Sequence, residues 1–192
     1  MLESLIQELA VIGLHLNAAK TKIFTTDEDA PDMIEVADSF ISVLSDLDSH
    51  KYLGRKLPGN LNNRSSVEIA HRIQIAWMKF HQHKDVLIDK NVCIRSRLRF
   101  FDAIISPTIL FGLGICALTQ QQINQLDRVQ RRMLRAIVGW VRHNDELWEN
   151  TMRRMRDRIF NALSIYNVTP WGQQMAANKF KMVSRFMIMH QT

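Results

Sequence analysis

The apolar positions of this chain change period partway along it. At the start, Leu2, Leu5, Ile6, Leu9 and Ile12 recur every three or four residues, which predicts a helix over 2–15 with Gly13 near its stop. Leu14 and Leu16 then alternate with His15 and Asn17, and Lys22–Ile23–Phe24–Thr25–Thr26 predicts a short strand. Residues 27–32, DEDAPD, form an acidic turn; they lack the glycine and ligand spacing of a calcium loop. Met33 to Leu44 alternates well enough for one or two strands, and Tyr52–Leu53 before Gly54 predicts another strand ending in a tight turn. Residues 59–66, GNLNNRSS, are turn formers and mark a subdomain boundary.

From Ser66 the spacing is helical. Ser65 or Ser66 with Glu68 resembles a capping box, and Ile69, Ile73, Ala76, Trp77 and Phe80 make an apolar stripe. Arg72, Lys79 and Lys84 lie off that stripe. Asn91 opens a second helix with Ile94, Leu98, Phe101 and Ile105 inside and Arg95, Arg97 and Arg99 elsewhere on its surface; Pro107 should kink or interrupt it. The third, Thr119 to Arg142, divides most sharply. Ile123, Leu126, Met133, Leu134, Ile137 and Val141 fall on one face, and Arg128, Arg131, Arg132, Arg135 and Arg142 on the other, with Thr119 as cap. A fourth helix is expected over 144–166, with Leu147, Trp148, Met152, Met155, Ile159 and Leu163 inside and its arginines mostly outside. Thr169–Pro170 starts a fifth, carrying Met175, Phe180, Met182, Val183 and Phe186. The expected fold class is α+β, mostly α.

With 192 residues and 46% apolar content, the chain can build one core, or one core and a smaller subdomain. The apolar run from Ala103 to Leu118 is too short and too interrupted to span a bilayer, and the acidic start MLESLIQELA is no secretory signal. Cys93 and Cys116 give no disulfide framework, which fits an intracellular chain, nuclear or cytoplasmic. Charge sharpens the picture. Residues 1–63 carry five Lys/Arg against ten Asp/Glu, and the remainder twenty against nine. Basic character therefore belongs to the helical part, where guanidiniums suit phosphate oxygens. Nucleic acid is the first candidate partner; a solvated basic face, an acidic protein or a membrane surface would share the sign.

No complete active site can be assembled from the residues alone. His81 and His83 would point to opposite sides of a helix, so with Cys93 they make a poor zinc set. Asp46 and Asp48 fit a solvated strand end better than a metal site. A Gly-rich phosphate loop and a Gly-x-Ser-x-Gly elbow are both missing. Trp77, Phe80 and Trp140 are expected in the core rather than as stacking platforms.

The order of pieces nevertheless resembles the back end of a reverse transcriptase from a non-LTR (LINE-type) retrotransposon. Gly13-Leu14-His15-Leu16-Asn17-Ala18-Ala19-Lys20-Thr21-Lys22 is similar to the segment after the catalytic hairpin of that family, and Tyr52-Leu53-Gly54 to its primer grip. Arg72-Ile73 with Trp77, then Pro107 with Leu110-Phe111-Gly112, then Leu126-Asp127 with Gln130-Arg131-Arg132, resemble successive helices of its thumb. The likeness covers about residues 2–160 and lies in joint order and spacing, since the single motifs are weak.

The resemblance implies a palm remnant over 1–60 followed by a helical thumb-like domain over 61–192. It implies RNA, DNA or an RNA–DNA hybrid as partner. Tyr52 and Gly54 would approach the primer end, and Arg72, Lys79, Lys84, Arg128, Arg131, Arg132 and Arg135 would line or flank the template–primer duplex. Lys20 would assist departure of pyrophosphate. The parent polymerase uses Mg2+ held by aspartates, two ions stabilising attacking and leaving oxygens. This chain has no Asp-Asp pair, so no metal ligands, no cofactor and no catalysis of its own are expected. The alternative is a stand-alone helical RNA/DNA-binding or protein-interaction module.

Overall fold

The computed structural model describes residues 2–25, 27, 29–36 and 39–189. Thr26 of the first expected strand, Glu28 of the acidic turn, Ala37 and Asp38, and the side chains of Leu2 and Phe186 lie outside the described residues. The chain is α+β and mostly α, with five short strands and seven α-helices among the described residues. It divides into two units that meet between Glu68 and Ile69.

The first unit opens with α1, Leu2–Val11, which stops at Gly13 in the left-handed region (φ 76°). Ile6 and Leu9 of its apolar stripe are half-buried, while Leu5 and Ile12 stay exposed. Strands β1 (Lys22–Ile23), β2 (Met33–Val36) and β3 (Ser39–Val43) form a sheet in the order β1-β3-β2. β1 runs parallel to β3 and β2 antiparallel to it, with Ile34 opposite Ile41. Val36 and Ile41 are the buried members, as alternation requires.

β4 (Ser49–Tyr52) and β5 (Arg55–Pro58) make a separate hairpin. The paired cations Arg55 and Lys56 hide β5 from a hydrophobic scan: its sequence is RKLP, and Pro58 sits at the strand end where no ladder donor is needed. The hairpin lies close to the 45–48 turn. Gly59 N donates to Asp48 O at 2.9 Å, and a Cβ on Gly59 would stand 2.0 Å from Ser45 O, so only glycine fits. Glu68, read from sequence as a capping residue, is fully buried and accepts from Lys56 N at 2.7 Å with Arg55 Nε 3.7 Å away. It joins β5 to the start of α2, Arg64–Gln82.

The second unit is helical. α2 is followed by α3 (Lys84–Ile88), α4 (Ile94–Leu110), α5 (Gln120–Val138), α6 (Trp148–Ile165) and α7 (Trp171–Met189). Ile69, Phe80, Leu98, Phe101, Ile105, Leu126, Met133 and Leu134 lie in one core. Each such side chain contributes about 1.5–3 kcal/mol by leaving water. α4 runs three residues past Pro107 rather than stopping there. Thr108 Oγ1 donates to Ile104 O at 2.7 Å beside the proline.

Trp171 holds the centre. It has no solvent exposure, stacks on Phe101 (centroids 5.8 Å apart, planes 15°), and donates its indole N–H to Ser106 Oγ at 2.8 Å. α5 grips the start of α7 around it. Gln130, itself buried, accepts from Trp171 N at 3.0 Å and donates to Thr169 O at 3.1 Å. Asp127 accepts from Gly172 N at 2.8 Å, and a Cβ on Gly172 would meet Ile123 Cγ2 at 2.6 Å. Both helix-start donors are thereby satisfied by side chains.

Candidate nucleic-acid interface

α5 begins in a capping box, Thr119 Oγ1 accepting from Gln122 N while Gln122 Oε1 accepts from Thr119 N. Its buried side carries Leu126, Gln130, Met133, Leu134, Ile137 and Val138. Its other side presents Arg128, Arg131, Arg132 and Arg135, all exposed. At 100° per residue these four fall within about 100° of arc, so they form one row along the helix. Among the described residues none of the four is in an ion pair, and the Arg132 guanidinium lies 5.6 Å from the centre of the Trp77 ring. A row of unpaired guanidiniums attracts polyanions and forks onto phosphate oxygens.

The other expected residues are distributed differently. Arg72 is corrected: it is 4% exposed, with its guanidinium 4.7 Å from the centre of the Phe111 ring, and so does not face an open surface. Lys79 is half-buried and donates to Gln82 Oε1 at 3.0 Å. Lys84 is exposed at the start of α3. Arg142 leaves the row, because α5 ends at Val138 and Gly139 (φ 85°) turns the chain. Trp140 is 40% exposed rather than core, whereas Phe80 is buried and Trp77 packs half-buried against the core.

In the first unit, Tyr52 pairs with Arg55 and the two residues between them make the hairpin turn. Leu53 (φ 46°) and Gly54 (φ 77°) both take positive φ, the geometry of a type I′ turn. Tyr52 is 60% and Leu53 77% exposed, so the tip projects side chains that the unit does not bury. Lys20 is exposed in the turn after Asn17, whose Oδ1 accepts from Lys20 N at 3.1 Å. Among the described residues no group of three His, Cys, Asp or Glu is placed to hold a metal ion. His81 stacks on Trp77 and His83 meets Phe100 edge-on.

Two arginine contacts were not foreseen. Arg97, read as surface, is 8% exposed and donates from Nη1 to Ile137 O at 2.6 Å, satisfying a carbonyl of the last turn of α5. Arg154 grips the loop that follows. Its Nε and Nη2 meet Glu146 at 2.9 and 2.7 Å, and Nη2 also reaches Val141 O at 2.7 Å. Thr151 Oγ1 adds a bond to Glu146 at 2.8 Å.

Arg154 foremost, then Thr151 and the His143 N–H, lower the Glu146 pKa from 4.5 to about 2. A depressed carboxylate pKa means the tie contributes fully above the ordinary value and is lost as pH falls through the depressed one. The loop should therefore stay fastened at neutral pH and release between about pH 4.5 and about pH 2. Tryptophan fluorescence followed through an acid titration checks this, and Glu146→Gln should remove that transition; an unchanged curve would refute it.

The chain is similar to an uncharacterised transposon-derived protein of Caenorhabditis elegans, with 32% identity over 116 residues. That stretch is 58% of this chain and 39% of the relative, so the match spans about two fifths of the worm protein. The likeness is consistent with a transposon-related origin. No family model matches the chain, and no solved structure matches it. Among the described residues, no helix is long and apolar enough to cross a membrane.

Proposed function

We propose that this protein binds a nucleic-acid duplex through the sugar-phosphate backbone, using the arginine row of α5 in the manner of a retrotransposon reverse-transcriptase thumb. The observation that carries the reading is the set Arg128, Arg131, Arg132 and Arg135, exposed on one helix face and, among the described residues, free of carboxylate partners. The helix is held from behind by the core and by α7, so its backbone is already ordered and only the arginine side chains lose freedom on binding. The similarity to a transposon-derived protein fits a nucleic-acid ligand, and the resemblance of the helices to a reverse-transcriptase thumb narrows it to a template–primer or related hybrid. Contacts of this kind go to phosphates, so binding is sequence-tolerant.

Fluorescence anisotropy of the full chain with an RNA–DNA hybrid, repeated across a salt series, tests the reading. Four phosphate contacts give a log Kd against log salt slope of magnitude about 3 to 4, and each single Arg→Gln change on the row lowers it by about 1. Absence of binding at low salt, or a slope near zero, would overturn it.

A further inference from the structure

We infer that the hollow between the end of α5 and the start of α6 takes an unpaired nucleotide continuing from the duplex on α5, with its base against Trp140 and Trp148. The inference rests on the duplex-binding reading and narrows its ligand to a duplex with a single-stranded extension. Trp140 and Trp148 are 40% and 56% exposed, and their ring centroids stand 5.9 Å apart with planes tilted by 49°. An indole pair left open to water, where the core could have buried it, is a platform for flat apolar rings. The hollow encloses about 490 Å³, within the range of about 300–1,000 Å³ for small-ligand sites.

Its walls supply the matching charge. Arg135, Arg153 and Arg156 line it against one carboxylate, Glu149, with Arg156 also 3.7 Å from Asp157 outside the lining, while Arg142 lies 6.0 Å from the centre of the Trp148 ring. Aromatic faces for bases beside cations for phosphates is the arrangement that binds single strands without sequence preference. Arg135 belongs both to the α5 row and to this hollow, so a backbone following the row arrives here. The platform is also held in place. Arg154 fixes Val141 and Glu146, the loop residues between the two tryptophans, so Trp140 does not have to be ordered by the ligand.

The test compares two probes on the full-length chain: a short blunt RNA–DNA hybrid, and the same hybrid with a single-stranded DNA extension of a few nucleotides. The extension should tighten binding about tenfold or more and quench indole fluorescence, as expected for stacking. Trp140→Ala with Trp148→Ala should reduce the extended probe to the affinity of the blunt one, while Trp140→Phe with Trp148→Phe keeps most of the gain. Equal affinity of the wild-type chain for both probes overturns this inference and leaves the α5 reading standing, the tryptophan pair then serving a different partner. A gain that survives the double alanine change also overturns it. Failure to bind either probe overturns both. Should the alanine variant not fold, the wild-type comparison and its quenching decide alone.

Discussion

Trp171→Ala should lower the stability of the helical unit by about 3–5 kcal/mol, the usual cost of truncating a buried aromatic to alanine. That is a large share of the about 5–15 kcal/mol that holds a typical domain folded. Three losses coincide: the stack on Phe101, the bond to Ser106 Oγ and the filled space at the centre of the core. Trp171→Phe keeps most of the ring but loses the indole donor and some volume, while Ser106 keeps its bond to Asp102 Oδ1, so it should cost about 1–3 kcal/mol. Urea denaturation followed by circular dichroism measures both. A midpoint for the alanine variant within error of wild type would mean that α7 is not part of the cooperative unit.

The second large effect concerns binding and should leave folding alone. Replacing Arg128, Arg131, Arg132 and Arg135 together by glutamine removes about 1 kcal/mol per screened phosphate pair, about 4 kcal/mol in all. Hybrid affinity should fall about a thousandfold at moderate salt. Because all four side chains are exposed, each change should move stability by less than about 0.5 kcal/mol, apart from Arg132, whose place over the Trp77 ring is worth about 0.5–1 kcal/mol. The same denaturation assay and the anisotropy titration separate the two outcomes. A variant that folds normally and still binds as tightly as wild type would exclude the row as the contact surface.

The sequence made α5 legible because its apolar and charged residues segregate at one period and Thr119 caps it, as the structure shows. Its end was less legible. Gly139 sits inside a continuing apolar pattern, and the helical reading ran on to Arg142 although the glycine takes positive φ. Helix existence followed from spacing; helix register against neighbours did not. Arg72 and Arg97 were read as surface because charge usually is, yet Phe111 and the Ile137 carbonyl receive them from distant parts of the chain. Gln130 and Asp127 looked like ordinary polar helix residues, and their partners at the start of α7 lie 41 and 45 positions away. Periodicity carries no information about such pairs. In the first unit, the parallel pairing of β1 with β3 was hidden for the same reason, and β5 by its charged sequence RKLP. Of the candidate interface, the row itself was visible in sequence; the exposed Trp140–Trp148 pair was not, since tryptophan is usually buried.

Residues alternate along α5 between two unrelated duties: Asp127 and Gln130 fasten the start of α7, while their neighbours Arg128 and Arg131 face outward. A single residue inserted between Arg128 and Gln130 would turn the two halves of α5 by about 100° relative to each other. Asp127 and Gln130 could then no longer both reach the start of α7, and Arg128 would leave the line of Arg131, Arg132 and Arg135. The helix can thus drift in composition at many exposed sites, but its length is locked, and an insertion there would disable assembly and ligand capture in one event.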